Sequence, residues 1–124
     1  VEFRRVLFRS NPDAEEFIIA SGCAVSQARE AVRQEGEKGR TVGLVKIKVI
    51  RPFPGEEILD AVKGAKRILI PEFNQAGWLH KEICSIAYGR INAVIKNGPR
   101  VFGGMTMPTE MVLEWLADFR KEVP

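Results

Sequence analysis

The sequence has little of what a membrane, secreted or metal-binding protein requires. No stretch approaches the roughly 20 continuous apolar residues of a membrane span, and the opening residues lack the uninterrupted apolar segment of a signal peptide. The only two cysteines, Cys23 and Cys84, lie 61 positions apart without a C-x-x-C motif. They therefore fit reduced thiols of a cytoplasmic protein better than a disulfide framework or a metal site.

Histidine and net charge are also scarce. His80 is the only histidine, so a Ser-His or Cys-His pair has to include it; its position beside Lys81 favours a solvated or interfacial role. The formal charge is +3, but residues 11–124 hold 16 basic and 15 acidic residues, so most of the excess belongs to the first ten. We therefore expect neither a nucleic-acid partner nor a membrane partner.

The first ten residues, VEFRRVLFRS, differ in character from the rest of the chain. A targeting segment, a basic partner-binding arm and a foreign extension are the three interpretations. Residues 3–10 are the translation of TTC AGA CGT GTG CTC TTC CGA TCT, which resembles a common short-read sequencing adapter, and this favours the third. We predict that residues 1–10 are an artefactual extension outside the fold, pack poorly and do not extend the sheet in a defined register.

The remaining chain, residues 11–124, alternates apolar runs with stripes of apolar residues at helical spacing. This pattern predicts strands at 17–20, 41–50, 67–70 and 91–95, with a short extended piece at 100–102. Helices are predicted between them and at 108–119, and prolines at positions 52, 54 and 71 end the second and third strands. Such alternation is typical of a three-layer αβα fold around a doubly wound, mainly parallel sheet of about four to five strands.

Three stretches within this pattern resemble a known family. They are IIASGCAVSQAREAV, GLVKIKVIRPFPGEEI and RILIPEFNQAGWLHKEI, and the segment GGMTMP precedes the final helix. Over residues 14–122 the chain is similar to domain II of the alpha chain of 2-oxoacid:ferredoxin oxidoreductases, a transketolase C-terminal-like domain. The matching features are the small residues after the first strand, the R-P-F-P segment after the second and Glu72-x-Asn74 after the third, all shared by pyruvate and 2-oxoglutarate enzymes.

The resemblance implies how the domain is built and what surrounds it. The predicted strands, numbered 1 to 4 along the chain, should lie in the order 2-1-3-4 and run parallel. A thiamine-pyrophosphate pyrimidine-binding domain of the same subunit precedes this domain in the family, so we expect the chain to be a fragment. An edge strand would then be missing, which would expose the edge of strand 2 and favour self-association.

The resemblance also implies a function. The parent enzyme would decarboxylate a 2-oxoacid with thiamine pyrophosphate and Mg, pass electrons through iron–sulfur clusters to ferredoxin, and transfer the acyl group to coenzyme A. This domain would hold no cofactor, metal or catalytic residue, would contact its neighbouring domain and other subunits, and would be inactive alone. The alternatives are a transketolase or 2-oxoacid dehydrogenase beta-chain domain, which should have Pro-x-Asp where this sequence has Pro52-Phe53-Pro54, and a freestanding flavodoxin-like binding module.

Candidate contact residues follow from the fold class. Partners of doubly wound sheets meet the carboxyl ends of the strands, where the sequence places Gly22, Cys23, Arg51, Glu72, Asn74 and Gln75. For Cys23 a small buried thiol is favoured over a reactive one, and for Glu72 a hydrogen-bonded structural carboxylate.

Two expectations concern charge. Glu72 would repel a phosphate, and no basic residue lies in the loops after the first and third strands, so the crevice between them suits a neutral or basic protein surface better than an anionic cofactor. The acidic pairs Glu15-Glu16 and Glu56-Glu57 are predicted to be solvated flanks of secondary structure, not an acid/base pair.

Overall fold

The structure, a computed structural model, describes residues 7–124. No helix in this range is long and apolar enough to cross a membrane. Within residues 7–124, five strands and four helices follow one another: β1 (Leu7–Ser10), β2 (Glu16–Ser21), α1 (Ala24–Glu37), β3 (Val42–Ile47), α2 (Gly55–Ala61), β4 (Arg67–Glu72), α3 (Trp78–Ala87), β5 (Val94–Arg100) and α4 (Thr109–Glu122).

The strands form one sheet in the order β1-β3-β2-β4-β5. Strands β3, β2, β4 and β5 are parallel, and β1 runs antiparallel to β3 at one edge. The predicted order 2-1-3-4 and the predicted αβα class are therefore confirmed. The parallel strands bring their carboxyl ends to one edge of the sheet, which we call the carboxyl edge.

Both faces of the sheet are covered by helices, since successive side chains of a strand point to opposite faces. Ile18 and Ala20 pack with α1 and α4, whereas Phe17 and Ile19 pack with α2 and α3. Each face has its own apolar core, and the largest side chains of both cores are fully buried. The near-continuous apolar runs of β2, β3 and β4 follow from this burial on two sides.

Two strands contain prolines, and one of these, Pro71, was predicted to end its strand. Pro71 lies within β4, where the register against β5 shifts between Ile70 and Glu72; an irregularity of this kind tolerates a residue without an N–H. Pro99 lies within β5, which is an edge strand. The predicted strand 91–95 and extended piece 100–102 are thus largely one strand, Val94–Arg100.

The expectation that residues 1–10 do not extend the sheet is wrong for residues 7–10. These residues form β1, in which Leu7 lies opposite Ile47 and Ser10 opposite Leu44. Leu7 is fully buried in the core on the α2–α3 face, and the Ser10 hydroxyl accepts a hydrogen bond from the Leu44 N–H at 3.2 Å. The predicted exposed edge of β3 is therefore also wrong, because β1 covers it; residues 1–6 lie outside the described residues.

Buried ion pairs close the opposite, amino edge of the sheet. Glu16 is 4% exposed and pairs with both Arg67, at 2.9 Å, and Arg120. Arg120 also pairs with the buried Glu35 at 2.6 Å, which ties α4 to α1 and β2. The prediction of a solvated Glu15-Glu16 pair is therefore wrong for Glu16, because two guanidinium groups compensate its burial.

Removing residues 1–10 should destabilise the chain. The deletion exposes the hydrogen-bonding edge of β3 and removes the buried Leu7 side chain, whose burial is worth about 1.5–3 kcal/mol. We expect the midpoint of thermal unfolding to fall by at least about 5 °C and self-association to increase in sedimentation velocity. Deleting residues 1–6 alone, which keeps β1 whole, is the control; an unchanged midpoint in the longer deletion would show that β1 contributes nothing.

Candidate functional site

Four loops form the carboxyl edge of the sheet. They follow β2, β3, β4 and β5 and span residues 22–23, 48–54, 73–77 and 101–108. Five of the predicted contact residues lie in the first three loops, and Glu72 is the last residue of β4. Because the four strands are parallel, the topology brings all six residues to the same edge, as predicted.

The carboxylate of Glu72 lies at the centre of this edge and is only 3% exposed. Its Oε1 accepts hydrogen bonds from the Asn74 side chain at 2.8 Å and the Leu79 N–H at 2.9 Å. Its Oε2 accepts from the Asn97 side chain at 2.8 Å and the His80 N–H at 3.1 Å. These four donors fill the roughly four acceptor positions of a carboxylate, so Glu72 is a structural carboxylate.

Glu72 thereby caps helix α3 from a neighbouring strand. Leu79 and His80 lie in the first turn of the helix, where backbone N–H groups have no partner within the helix. A negative charge at this end also interacts favourably with the helix dipole. The carboxylate therefore joins β4, α3 and, through Asn97, β5.

Asn74 completes the cap from within the loop. Its Oδ1 accepts the Gly77 N–H at 2.6 Å and the Trp78 N–H at 3.4 Å. Gly77 has a φ of +66°, and a Cβ there would overlap the Asn97 side chain. The segment Glu72-x-Asn74-x-x-Gly77 is thus a cap in which each residue has a defined structural task.

The burial of Glu72 changes the charge expected at this edge. Its carboxylate is engaged within the domain and does not face solvent, so the premise behind a neutral or basic partner is wrong. The four loops contain no Asp or Glu. Arg51 is exposed, lies 5.6 Å from the Trp78 ring and is 3.6 Å from Glu82; Gln75 is exposed and its carbonyl accepts the Arg100 guanidinium at 2.8 Å.

The two cysteines have different surroundings. Cys23 is exposed immediately before α1, beside the exposed Gly22, so the expectation of a buried thiol is wrong. Cys84 is partly buried, and burial raises the pKa of its thiol. Its Sγ lies 3.3 Å from Nε2 of the partly exposed His80 one helical turn earlier.

Several residues that contribute to this edge were not predicted from the sequence. Asn97 follows Lys96 in a strand that also contains Arg100, so no local pattern marks its side chain as a partner of Glu72. Arg100, Phe102 and Trp115 line a cleft of about 390 Å³ together with Gln75. Their proximity depends on the path of β5 and α4, which no local pattern specifies.

The described residues do not supply the ligands of an iron–sulfur cluster or another metal site. Iron–sulfur clusters are held mainly by four cysteine thiolates, and the whole chain has two cysteines. Among residues 7–124 no group of three or more His, Cys, Asp or Glu side chains is placed to hold a metal ion. The buried Glu72 oxygens are already occupied by hydrogen-bond donors from the domain itself.

A second cleft, of about 660 Å³, lies at the amino edge. Its charged groups are largely paired with one another, as in the Glu16–Arg67 pair and the exposed Lys66–Glu15 pair at 2.6 Å. The lining consists of residues 11–16, Arg40, Thr41, Arg67 and Arg120. Paired charges leave little affinity for an ionic ligand, so the carboxyl edge remains the stronger candidate.

Comparison with known proteins identifies the family. The sequence model of the pyruvate:ferredoxin oxidoreductase core domain II matches residues 14–112. The chain belongs to the pyruvate:ferredoxin oxidoreductase core domain II family. The resemblance seen in the sequence is therefore confirmed.

The curated relatives of this core domain II are subunits of 2-oxoacid enzymes. The pyruvate synthase subunit PorA of Methanothermobacter thermautotrophicus is 38% identical over 82 residues, which cover 63% of this chain and 21% of that subunit. The corresponding subunit of Methanosarcina barkeri is 29% identical over 115 residues, covering 88% and 29%. The chain thus spans less than a third of the length of these relatives.

Solved structures share the fold of this core domain II. The 2-oxoglutarate:ferredoxin oxidoreductase from Magnetococcus marinus, solved with 2-oxoglutarate, coenzyme A and succinyl-CoA bound, superposes with a TM-score of 0.76 at 21% identity, covering 90% of this chain and 19% of that chain. A split gene transketolase, described as an inactive beta4 tetramer, gives 0.75 at 12% identity, covering 94% and 42%. At these identities the likeness concerns the fold alone.

Replacing Glu72 by alanine should strongly destabilise the domain. The substitution removes an ionised acceptor and leaves the Leu79 N–H and the Asn97 amide without their partner, at a cost of about 3 kcal/mol. We expect the free energy of unfolding to fall by this amount, as measured by urea denaturation monitored with circular dichroism. Glu114→Ala, an exposed carboxylate on α4, is the control and should change it by less than about 0.5 kcal/mol; an equally small effect of Glu72→Ala would contradict the capping role.

Proposed function

We propose that this chain is a structural and assembly domain of a thiamine-pyrophosphate-dependent 2-oxoacid:ferredoxin oxidoreductase. The complete enzyme would oxidatively decarboxylate a 2-oxoacid to an acyl-CoA and pass the electrons to ferredoxin. Its thiamine pyrophosphate, Mg, iron–sulfur clusters and coenzyme A would be bound by other domains or subunits. The two free cysteines suit a reducing compartment such as the cytoplasm.

The observation that supports this role most strongly is the occupancy of Glu72. In a doubly wound sheet the carboxyl edge is where a catalytic or ligand-binding group is expected. Here the Glu72 carboxylate at that edge accepts four hydrogen bonds from its own domain and has no acceptor position left for a substrate. The edge is built to hold its loops in fixed positions, which is the requirement of a surface that docks against another domain.

The exposed residues of the edge would make the contacts. Gly22 and Cys23 are exposed after β2, Arg51 after β3 and Gln75 after β4. Glu72 and Asn74 would act indirectly by holding the loop that carries Gln75. The neighbours would be the pyrimidine-binding domain of the same subunit and other subunits of the complex, with ferredoxin reached through the complex.

The experiment for the enzymatic part uses the complete protein. Recovering the full reading frame that contains this domain and expressing it with its partner subunits should give a 2-oxoacid oxidation that requires coenzyme A and reduces ferredoxin. Pyruvate, 2-oxoglutarate and branched-chain 2-oxoacids would be compared as substrates. A fully loaded complex that oxidises none of them would overturn the proposal.

The 124-residue chain alone should bind none of the parent cofactors. It offers no cluster of metal ligands among its described residues, and the Glu72 carboxylate is fully engaged. Isothermal titration with thiamine pyrophosphate and Mg²⁺, with coenzyme A and with NAD should therefore show no binding at micromolar concentrations. Micromolar affinity for any of them would contradict an accessory role.

A further inference from the structure

The cleft beside β5 has the composition of an interface anchor site. It is lined by Gln75, Arg100, Phe102 and Trp115, and we call it the β5 cleft. Aromatic residues, Met and Arg are enriched at protein interfaces, whereas Lys, Glu and Asp are depleted, and Trp and Arg dominate the binding energy where they are found. Among the residues that the structure describes, no Lys, Glu or Asp lines the cleft, and Met105, three residues after Phe102, is 61% exposed.

The walls of the β5 cleft are held in place before any partner arrives. Trp115 of α4 packs so closely over Gly98 of β5 that a Cβ at Gly98 would overlap the indole ring. Nζ of Lys96 lies 5.2 Å from the centre of the same ring on the strand side. The Arg100 guanidinium is fixed by the Gln75 carbonyl at 2.8 Å. Preorganised side chains lose less entropy on binding.

The exposed ring of Phe102 and the positive charge of Arg100 indicate which chemical groups a partner would place in the cleft. Phe102 is 48% exposed, which is costly for an apolar ring that stays in water. Arg100 is exposed and donates to Gln75 through one nitrogen; a guanidinium has five donors and pairs best with a carboxylate. The loops of this edge contain no Asp or Glu to neutralise it. A partner with an apolar side chain next to a carboxylate would cover the Phe102 ring and pair with the Arg100 guanidinium.

A small molecule fits the β5 cleft less well than a protein segment does. Sites for small ligands enclose about 70–90% of the ligand surface, whereas three of the four residues that line this cleft, Gln75, Arg100 and Phe102, are themselves exposed. The curated relatives are more than three times as long as the part that this chain covers. A longer polypeptide of that kind supplies further domains as neighbours of this edge.

We propose that the β5 cleft receives an apolar side chain flanked by an Asp or Glu, presented by another domain of the same polypeptide. The inference rests on the proposed assembly function. The partner surface would have an apolar centre with acidic side chains around it. Arg100 would pair with the carboxylate, while Phe102 and Trp115 would enclose the apolar side chain.

Hydrogen exchange in the unmodified proteins is the first test. The backbone amides of residues 101–106 should exchange at least tenfold more slowly in the complete protein than in the 124-residue chain. Arg100→Glu in the complete protein should return them to the rates of the chain, whereas Arg29→Glu, at an exposed position on α1, should leave the protection unchanged. Equal exchange in the complete protein and the chain would overturn the proposal.

Cross-linking identifies the partner. Arg100→Lys puts an amine at the mouth of the cleft, and a carbodiimide couples that amine to an adjacent carboxylate. Mass spectrometry of a mixture of ¹⁵N-labelled and unlabelled complete protein should find the new link within one polypeptide, to an Asp or Glu of another domain. Arg29→Lys should give no such link. A link to a second copy or to a different subunit, or no link at all, would contradict the proposal.

The two proposals fail in distinguishable ways. If the complete protein oxidises a 2-oxoacid but residues 101–106 are unprotected, the cleft inference alone is wrong. If no 2-oxoacid is oxidised, the enzymatic assignment is wrong, and the cross-link still reports whether the cleft holds an acidic segment.

Discussion

A carboxylate removed from water is the constraint on which the carboxyl edge of this domain depends. A buried charge is tolerated only when partners of good geometry replace its hydration, and Glu72 obtains them from a loop, the first turn of α3 and strand β5. Those partners set where α3 begins and where β5 lies beside β4. The same bonds leave Glu72 without capacity for chemistry.

Buried carboxylates at the amino edge are also compensated, but by guanidinium groups instead of backbone and amide N–H groups. Glu16 and Glu35 are buried, and Arg120 bridges them while Arg67 pairs with Glu16. The Arg67 guanidinium also donates to the Val123 carbonyl at 2.9 Å, just after α4. The terminal helix is thus attached to the sheet by charge as well as by its apolar face. With both edges braced, the domain can present its exposed loops as one fixed surface.

Local patterns predicted the parts of this structure that depend on burial alone. The alternation of Phe17, Ile18, Ile19 and Ala20 between two faces, and the apolar stripes of the helices, are set by residues close in the chain. Strand β1 was missed because its pairing joins residues about 40 positions apart, and a four-residue segment carries no periodic signal of its own. Glu16 was taken as solvated because its partner Arg120 lies 104 positions away. The family resemblance supplied the strand order, which pattern alone does not.

The sequence predicted where the candidate site lies in the sheet, but only some of the contacts between its residues. Glu72 and Asn74 stand out as polar residues after a buried strand, and their motif marks the edge correctly. Their partners Asn97 and Gly77, and the cleft around Trp115, depend on how β5 and α4 approach the loop in space. These contacts join residues far apart in the chain, so the expectation that Glu72 would repel an anion at this edge did not include the burial of its carboxylate.

The most direct test of an assembly role separates assembly from turnover in the complete enzyme. Glu72→Gln and Asn74→Ala weaken the cap without removing the loop. Native mass spectrometry would give the fraction of intact complex, and steady-state assays would give the turnover per intact complex. The assembly role predicts that the intact fraction falls while turnover per intact complex stays at the wild-type value. A fall in turnover with association and folding unchanged would contradict it.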